Sequence, residues 1–215
     1  NQFLTLLAPG MTKQGITAHN TTERIQKDQT GGTAIAGVGR ICDNITSTGA
    51  DPTGLGRWSW LRLGHGSTST RIVTAYLPHK PNRNSRGRTV WEQHSRYFEA
   101  RGDLRYPSTI FIEDLLTLLH SWISHGEHVL LAIDANQDVY SGKLAQHLSE
   151  PPFNMKCMLE EATGVKVPAP ALKVPPVPDT LAQVPPVCSP VIKSNKLITA
   201  TFESLIVVLR SDPAL

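Results

Sequence analysis

The segment from Leu130 to Gly142 contains the residues of this sequence that are best suited to chemistry. Its letters, LLAIDANQDVYSG, place Asp134 and Asn136 at the end of a short apolar run. Side chains two positions apart in a strand point to the same side, so this spacing brings a carboxylate and an amide to one small volume. The carboxylate could take a proton from water, and the amide could donate to a developing oxyanion. The same two residues could instead form an Asx turn that only closes the strand, which spacing alone favours.

Tyr76 is a second candidate, because it ends an apolar stretch, TRIVTAYLP, just before Leu77 and Pro78. If that strand and the one ending at Asp134 belong to one sheet, the Tyr76 hydroxyl could reach the same end of the fold. The alternative is an ordinary, half-buried strand tyrosine. The eight histidines and three cysteines do not have the spacing of zinc ligands.

The elements that must position these residues can be read from hydrophobic periodicity. Two alternating segments flank a glycine-rich turn and predict a hairpin, and two segments with apolar residues three and four apart predict helices. The second helix is expected to be capped by Ser108 or Thr109. A short, nearly continuous apolar run predicts a strand that is buried on both faces. In chain order these elements are the strands 54–64 and 70–78, the helices 89–102 and 108–126, and the strand His128 to Asp134.

Proline content divides the chain near residue 150. Ten of the 16 prolines lie between Pro151 and Pro190, in text such as KVPPVPDT that has no helix or strand period. We therefore expect residues 1–150 to form the folded domain and residues 151–215 to form a proline-rich tail that is irregular and poorly ordered. One plausible strand, Leu205 to Leu209, has no partner that the sequence identifies.

Charge is concentrated in one stretch, although the chain as a whole carries only +3. Between Arg57 and Arg105 there are ten basic and three acidic residues, which favours an anionic partner over this stretch. Within it, Arg83, Arg86 and Arg88 are candidate nucleic-acid contacts, the alternative being a solvated surface that binds nothing. The sequence has no signal peptide and no run long enough to span a membrane, so we expect an intracellular protein of the nucleus or cytoplasm that makes no membrane contact.

The order of these segments resembles the endonuclease/exonuclease/phosphatase family, and especially the endonuclease domains of retroelements. The match covers about residues 31 to 148 and depends on GGTAI, GRW, IVTAYLP, a helix and LLAIDANQDV. The resemblance implies an α/β fold, here a partial two-layer β-sandwich flanked by helices. It also implies a phosphodiester site that uses Mg²⁺ or Mn²⁺. Asp134 would orient or deprotonate the attacking water, Asn136 would hold a phosphate oxygen, and Tyr76 would lie against the scissile phosphate.

Two expected parts of the family pattern are missing from this sequence. Family members carry a metal-binding Glu on an early strand, whereas the nearest candidate here, Glu23, lies in NTTERIQ. They also end in Ser-Asp-His, whereas Ser211 and Asp212 are followed by Pro213. The sequence thus predicts an incomplete, truncated endonuclease-like domain that hydrolyses phosphodiesters of DNA or RNA. Two alternatives stay open, namely a catalytically inactive nucleic-acid-binding remnant and a family member that acts on small phosphoesters.

Overall fold

The chain is mixed α/β, with two β-sheets and four α-helices in the part that the structure describes. This computed structural model describes residues 12–23, 31–81, 89–138, 140–164 and 205–210. The strands are β1 (Lys13–Ala18), β2 (Thr33–Val38), β3 (Ile45–Ala50), β4 (Trp58–Leu63), β5 (Thr70–Tyr76), β6 (His128–Asp134), β7 (Met155–Cys157) and β8 (Leu205–Arg210). The helices are α1 (Val90–Glu99), α2 (Pro107–Ser124), α3 (Lys143–Ser149) and α4 (Met158–Thr163), with 3₁₀ turns at Gly39–Asn44 and Gly66–Thr68.

The larger sheet has the strand order β3-β4-β5-β6-β8-β7. Its neighbouring strands pair antiparallel except β5 and β6, which are parallel. The predicted hairpin is confirmed as β4 and β5, and the predicted buried strand is confirmed as β6. Parallel neighbours need a long crossover connection, and here the chain between β5 and β6 contains α1 and α2. As a result, the carboxyl ends of β5 and β6 lie side by side.

The core lies between the larger sheet and α2. Alternate residues of β5 and β6 are buried on this side, and they pack with apolar residues of α2 that recur at three and four. Trp58 of β4 meets Phe111 edge to face, with ring centroids 5.8 Å apart. The fully buried members of this core include Val73, Leu131, Ile133, Phe111, Leu115 and Leu119.

The smaller sheet, an antiparallel pair of β1 and β2, contacts β3, β4 and β5. The Thr74 hydroxyl of β5 donates to the Ala34 carbonyl of β2 at 3.4 Å, and Thr74 alternates with the core residues Val73 and Ala75. The pair of strands therefore covers part of the face opposite α2. The sequence did not predict β1, since its residues have no clear alternation.

The residues at the N-termini of α1 and α2 explain where these helices begin, and one predicted cap is wrong. α1 begins with a capping box in which Thr89 accepts from the Glu92 backbone and Glu92 accepts from the Thr89 backbone. The expected Ser108 or Thr109 cap of α2 is wrong, because the helix begins at Pro107 with Tyr106 at the cap position. Proline suits the first helical position, since its φ is preset and its missing N–H is not needed there.

Packed structure continues beyond residue 150. Phe153 and Met155 belong to the main core, and β8 pairs with both β6 and β7. The strand expected near Leu205 to Leu209 thus has partners that the sequence did not identify. Residues 165–204, which contain most of the expected tail, lie outside the described residues. Each described helix is too short or too polar to cross a membrane.

Candidate functional site

Tyr76 and Asp134 are neighbours at the carboxyl ends of the two parallel strands. They are paired in register, and the Leu77 backbone N–H donates to the Asp134 carbonyl at 2.9 Å. Both side chains are half-buried and alternate with core residues, so they lie on the face of the sheet opposite α2. The structure therefore brings together the two residues that the sequence placed at the ends of separate strands.

Asn136 closes this arrangement. Its φ of +46° lies in the left-handed region, which asparagine tolerates better than most residues. Its backbone N–H donates to Asp134 Oδ1 at 3.3 Å, which is the Asx turn considered from the sequence. Its side-chain Nδ2 donates to the Leu77 carbonyl at 2.9 Å, and the same side chain hydrogen bonds the Tyr76 hydroxyl. The turn and the clustering of Asp134, Asn136 and Tyr76 are one arrangement and not two alternatives.

The contacts of Asn136 bear on the role that the family resemblance implies for it. Holding a phosphate oxygen needs an N–H donor, and one N–H of the Asn136 amide already donates to the Leu77 carbonyl. The amide is therefore partly committed to the protein itself.

The Tyr76 hydroxyl is held in its protonated form. Burial raises the pKa of Tyr76, the negative charge of Asp134 raises it further, and the hydrogen bond from Asn136 opposes both effects. Tyr76 is therefore a hydrogen-bond donor throughout the neutral range. A neutral phenol beside a carboxylate can donate to a phosphate oxygen while the carboxylate accepts from water.

Asp134 has no fixed counter-ion among the described residues. The ion pairs of that part of the chain involve other carboxylates, and the contact that Asp134 Oδ1 does make is the weak one from the Asn136 backbone. A half-buried carboxylate of this kind is available to a water molecule or a cation.

Asp138, four residues later, has a different role. Its Oδ1 accepts from the Tyr140 backbone at 3.0 Å and from the backbone and hydroxyl of Ser141 at 2.7 and 2.8 Å. These bonds, those from Ser141 first, lower the pKa of Asp138. Because Oδ1 is committed to the turn before α3, Asp138 stabilises the loop that follows the site.

The donors at this end of the sheet fit a metal ion only in part. Within the described ranges, no three His, Cys, Asp or Glu side chains come together as a metal centre. Asp134 supplies one carboxylate, and Mg²⁺ commonly takes one or two carboxylates and completes its shell with water and phosphate oxygens. Glu23 is not placed as the missing ligand, since its carboxylate pairs with Arg96 of α1 at 2.9 Å.

The basic stretch is less positive than its composition suggests. Arg57, Arg62, Arg71, Arg96 and Arg105 each form an ion pair with a carboxylate. The three predicted nucleic-acid contacts, Arg83, Arg86 and Arg88, lie outside the described residues, as do Ser211 and Asp212. Five of the ten basic residues that the sequence summed over this stretch are therefore paired with carboxylates, which a count of residues does not detect.

The chain matches no family model and no curated protein sequence.

Proposed function

We propose that this chain is an endonuclease-like phosphodiesterase of the endonuclease/exonuclease/phosphatase type, which hydrolyses DNA or RNA with Mg²⁺ or Mn²⁺. One observation carries the proposal. Asp134, which has no counter-ion among the described residues, and Tyr76, kept protonated, lie side by side at the carboxyl ends of parallel strands. Open α/β sheets place their reacting groups at this end of the strands.

Each residue has a distinct part in the proposed reaction. Asp134 orients a water molecule and accepts its proton as the water oxygen attacks phosphorus and the bond to the leaving oxygen breaks, and the leaving oxygen takes a proton from solvent water. Tyr76 donates a hydrogen bond to a non-bridging phosphate oxygen, and Asn136 fixes the direction of the Tyr76 hydroxyl. A divalent ion held by Asp134 and the phosphate would supply charge neutralisation.

A cleavage assay with a matched variant tests this proposal. A labelled oligonucleotide is incubated with the full chain at several Mg²⁺ and Mn²⁺ concentrations, and turnover and binding are measured separately. We expect Asp134→Asn to lower turnover by about 100-fold or more and to change affinity little, because a general base acts mainly in the transition state. Asp43→Asn, which removes an exposed carboxylate elsewhere, is the control and should be neutral. Cleavage that survives Asp134→Asn would refute the assigned site.

A catalytically inactive nucleic-acid-binding protein is the second candidate. It is favoured by the presence of one carboxylate, Asp134, at the site in the described part of the chain and by the engagement of the Asn136 amide with Leu77. This candidate predicts binding that weakens steeply with salt and no cleavage with either metal. Hydrolysis of a small phosphodiester in the absence of nucleic-acid cleavage would instead favour the third interpretation, a small-phosphoester enzyme.

A further inference from the structure

An exposed aromatic residue lies on the connection between α1 and α2. The Tyr106 side chain is at the surface, with 63% of the residue exposed, and its ring centroid is 5.9 Å from that of Trp91 on α1. The Lys80 ammonium lies 5.2 Å from the Tyr106 ring centroid. We refer to Lys80, Trp91 and Tyr106 as the Tyr106 platform.

The exposure of Tyr106 is not needed by the fold. Tyr106 is at the cap position of α2, yet its side chain forms no cap hydrogen bond, and its ring is not part of either apolar core cluster. A polar cap residue would serve the helix better. A large ring held at the surface against a second ring is the arrangement on which a planar ligand can stack.

The platform is close to the proposed site along the chain. Lys80 follows Tyr76 by four residues, a distance of at most about 14 Å along extended backbone. A strand of nucleic acid whose phosphate lies at Tyr76 and Asp134 would therefore reach the platform within a few nucleotides.

The charge of the platform favours a polyanion. Lys80 is exposed, and none of the carboxylates in the described residues pairs with it. Two of the acids close to Tyr106 in sequence, Asp103 and Glu113, are instead held by Arg105. Those two carboxylates are thus already compensated, and within the described ranges no carboxylate competes with a phosphate for Lys80.

We propose that the Tyr106 platform stacks one unpaired base of a single-stranded nucleic acid, with Lys80 on a neighbouring phosphate. This inference rests on the proposed function in that it takes nucleic acid as the ligand, and it adds that the strand is single at this point. In a duplex each base is already stacked on its neighbours, whereas an unpaired base gains from an aromatic ring.

Binding measured without metal tests the platform independently of cleavage. Fluorescence anisotropy in EDTA compares a 12-nucleotide single strand with the matching duplex, using the full chain. We expect Tyr106→Ala to weaken single-strand binding by at least about 5-fold, from roughly 1–3 kcal/mol for one stacked base, and Tyr106→Phe to keep it. Leu104→Ala is the matched control, because Leu104 is 83% exposed two residues away and is not aromatic.

An abasic scan sharpens the result. Removing one base at the stacking position should weaken binding to the parent chain and have no further effect on Tyr106→Ala. Lys80→Gln should reduce the salt dependence by about one phosphate contact, whereas Lys143→Gln should not. Equal losses for Tyr106→Ala and Leu104→Ala, equal losses for single strand and duplex, or no binding of either would overturn the inference. Cleavage that depends on Asp134 but is indifferent to Tyr106→Ala would overturn this inference alone and leave the proposed function intact.

Discussion

Carboxylates occur in two contrasting settings in this protein. Asp51 is buried, and its oxygens accept from Arg57 Nε at 2.8 Å and Nη2 at 3.0 Å, while Arg57 Nη1 reaches Asp114 at 2.7 Å. The Arg57 guanidinium also lies over the Trp58 ring, 4.3 Å from its centroid. Asp134, at the carboxyl end of β6, has no comparable partner among the described residues.

Glu127, at the opposite end of the sheet, is also a buried carboxylate that is paired with arginines. It lies just before β6 and accepts from Arg62 at 2.9 Å and from Arg71, whose guanidinium is stacked near Trp60 and Trp122. Burial alone would raise the pKa of Glu127, and the two arginines bring it below its ordinary value. Asp51 shows the same balance with Arg57.

The contrast separates carboxylates that support the fold from one that is available for chemistry. A carboxylate locked between arginines cannot accept a proton near neutral pH or exchange its partner for a ligand. Among the described residues Asp134 is held by one weak backbone contact, so its side chain can exchange partners with water or a ligand. We therefore expect substitutions at the arginine-paired carboxylates to change stability and substitutions at Asp134 to change function.

The largest effect is expected at Arg57. Arg57→Met preserves the approximate length of the side chain but removes its charge. Asp51 is then buried without its partner, which should lower the free energy of unfolding by about 3–5 kcal/mol at neutral pH. Urea denaturation measures this loss. Arg57→Met with Asp51→Asn should recover part of it, because the uncompensated charge is removed.

The matched control is Arg96→Met, which breaks the exposed pair with Glu23 and should cost at most about 1 kcal/mol. If Arg96→Met and Arg57→Met had equal effects, the buried network would not be the support that the structure suggests.

A somewhat smaller effect is expected from acid, through His94. His94 is 1% exposed, and among the described residues its ring nitrogens have no partner at normal hydrogen-bond geometry. Burial, followed by the Arg57 charge, lowers the pKa of His94 from 6.5 to about 4, with Asp51 and the Leu55 backbone acting in the opposite direction.

The sign follows from proton binding. Between pH 6.5 and about 4 the unfolded chain takes up a proton at this residue and the folded chain does not, so stability falls as the pH falls. The loss should reach ~3 kcal/mol across this window. Denaturation series at several pH values check it, and His94→Gln should lack this part of the slope. An unchanged slope in His94→Gln would assign the acid sensitivity to other groups.

The smallest stability effect is expected at Asp134. Asp134→Asn removes no ion pair with a described residue and keeps an oxygen that can accept from the Asn136 backbone, so the free energy of unfolding should change by less than about 1 kcal/mol. Loss of the charge should also lower the pKa of Tyr76 towards its ordinary value, which an ultraviolet titration of tyrosinate detects. A large loss of stability would place Asp134 with the supporting carboxylates.

The sequence predicted the elements whose signals are local. The hairpin of β4 and β5, the buried strand β6 and the course of α2 were each visible in the spacing of apolar residues, because burial of one face selects that spacing. The turn between Asp134 and Asn136 could also be considered from the sequence, because it is a local contact. Their contact spans two residues.

Tertiary structure decided the features that join distant parts of the chain. The parallel pairing of β5 with β6 places Tyr76 beside Asp134, and the antiparallel partners of β8 lie far from it in sequence. Neither pairing can be recognised from the spacing of apolar residues within either strand.

The arginines make the same point about charge. Composition counted Arg57 and Arg71 as positive surface, but Arg57 meets Asp114 across 57 positions and Arg71 meets Glu127 across 56. The sequence by itself determined which residues could form strands, helices and turns, since those choices depend on neighbours along the chain. The fold alone determined which charges are neutralised and which carboxylate is left available, because an ion pair depends on distance in space.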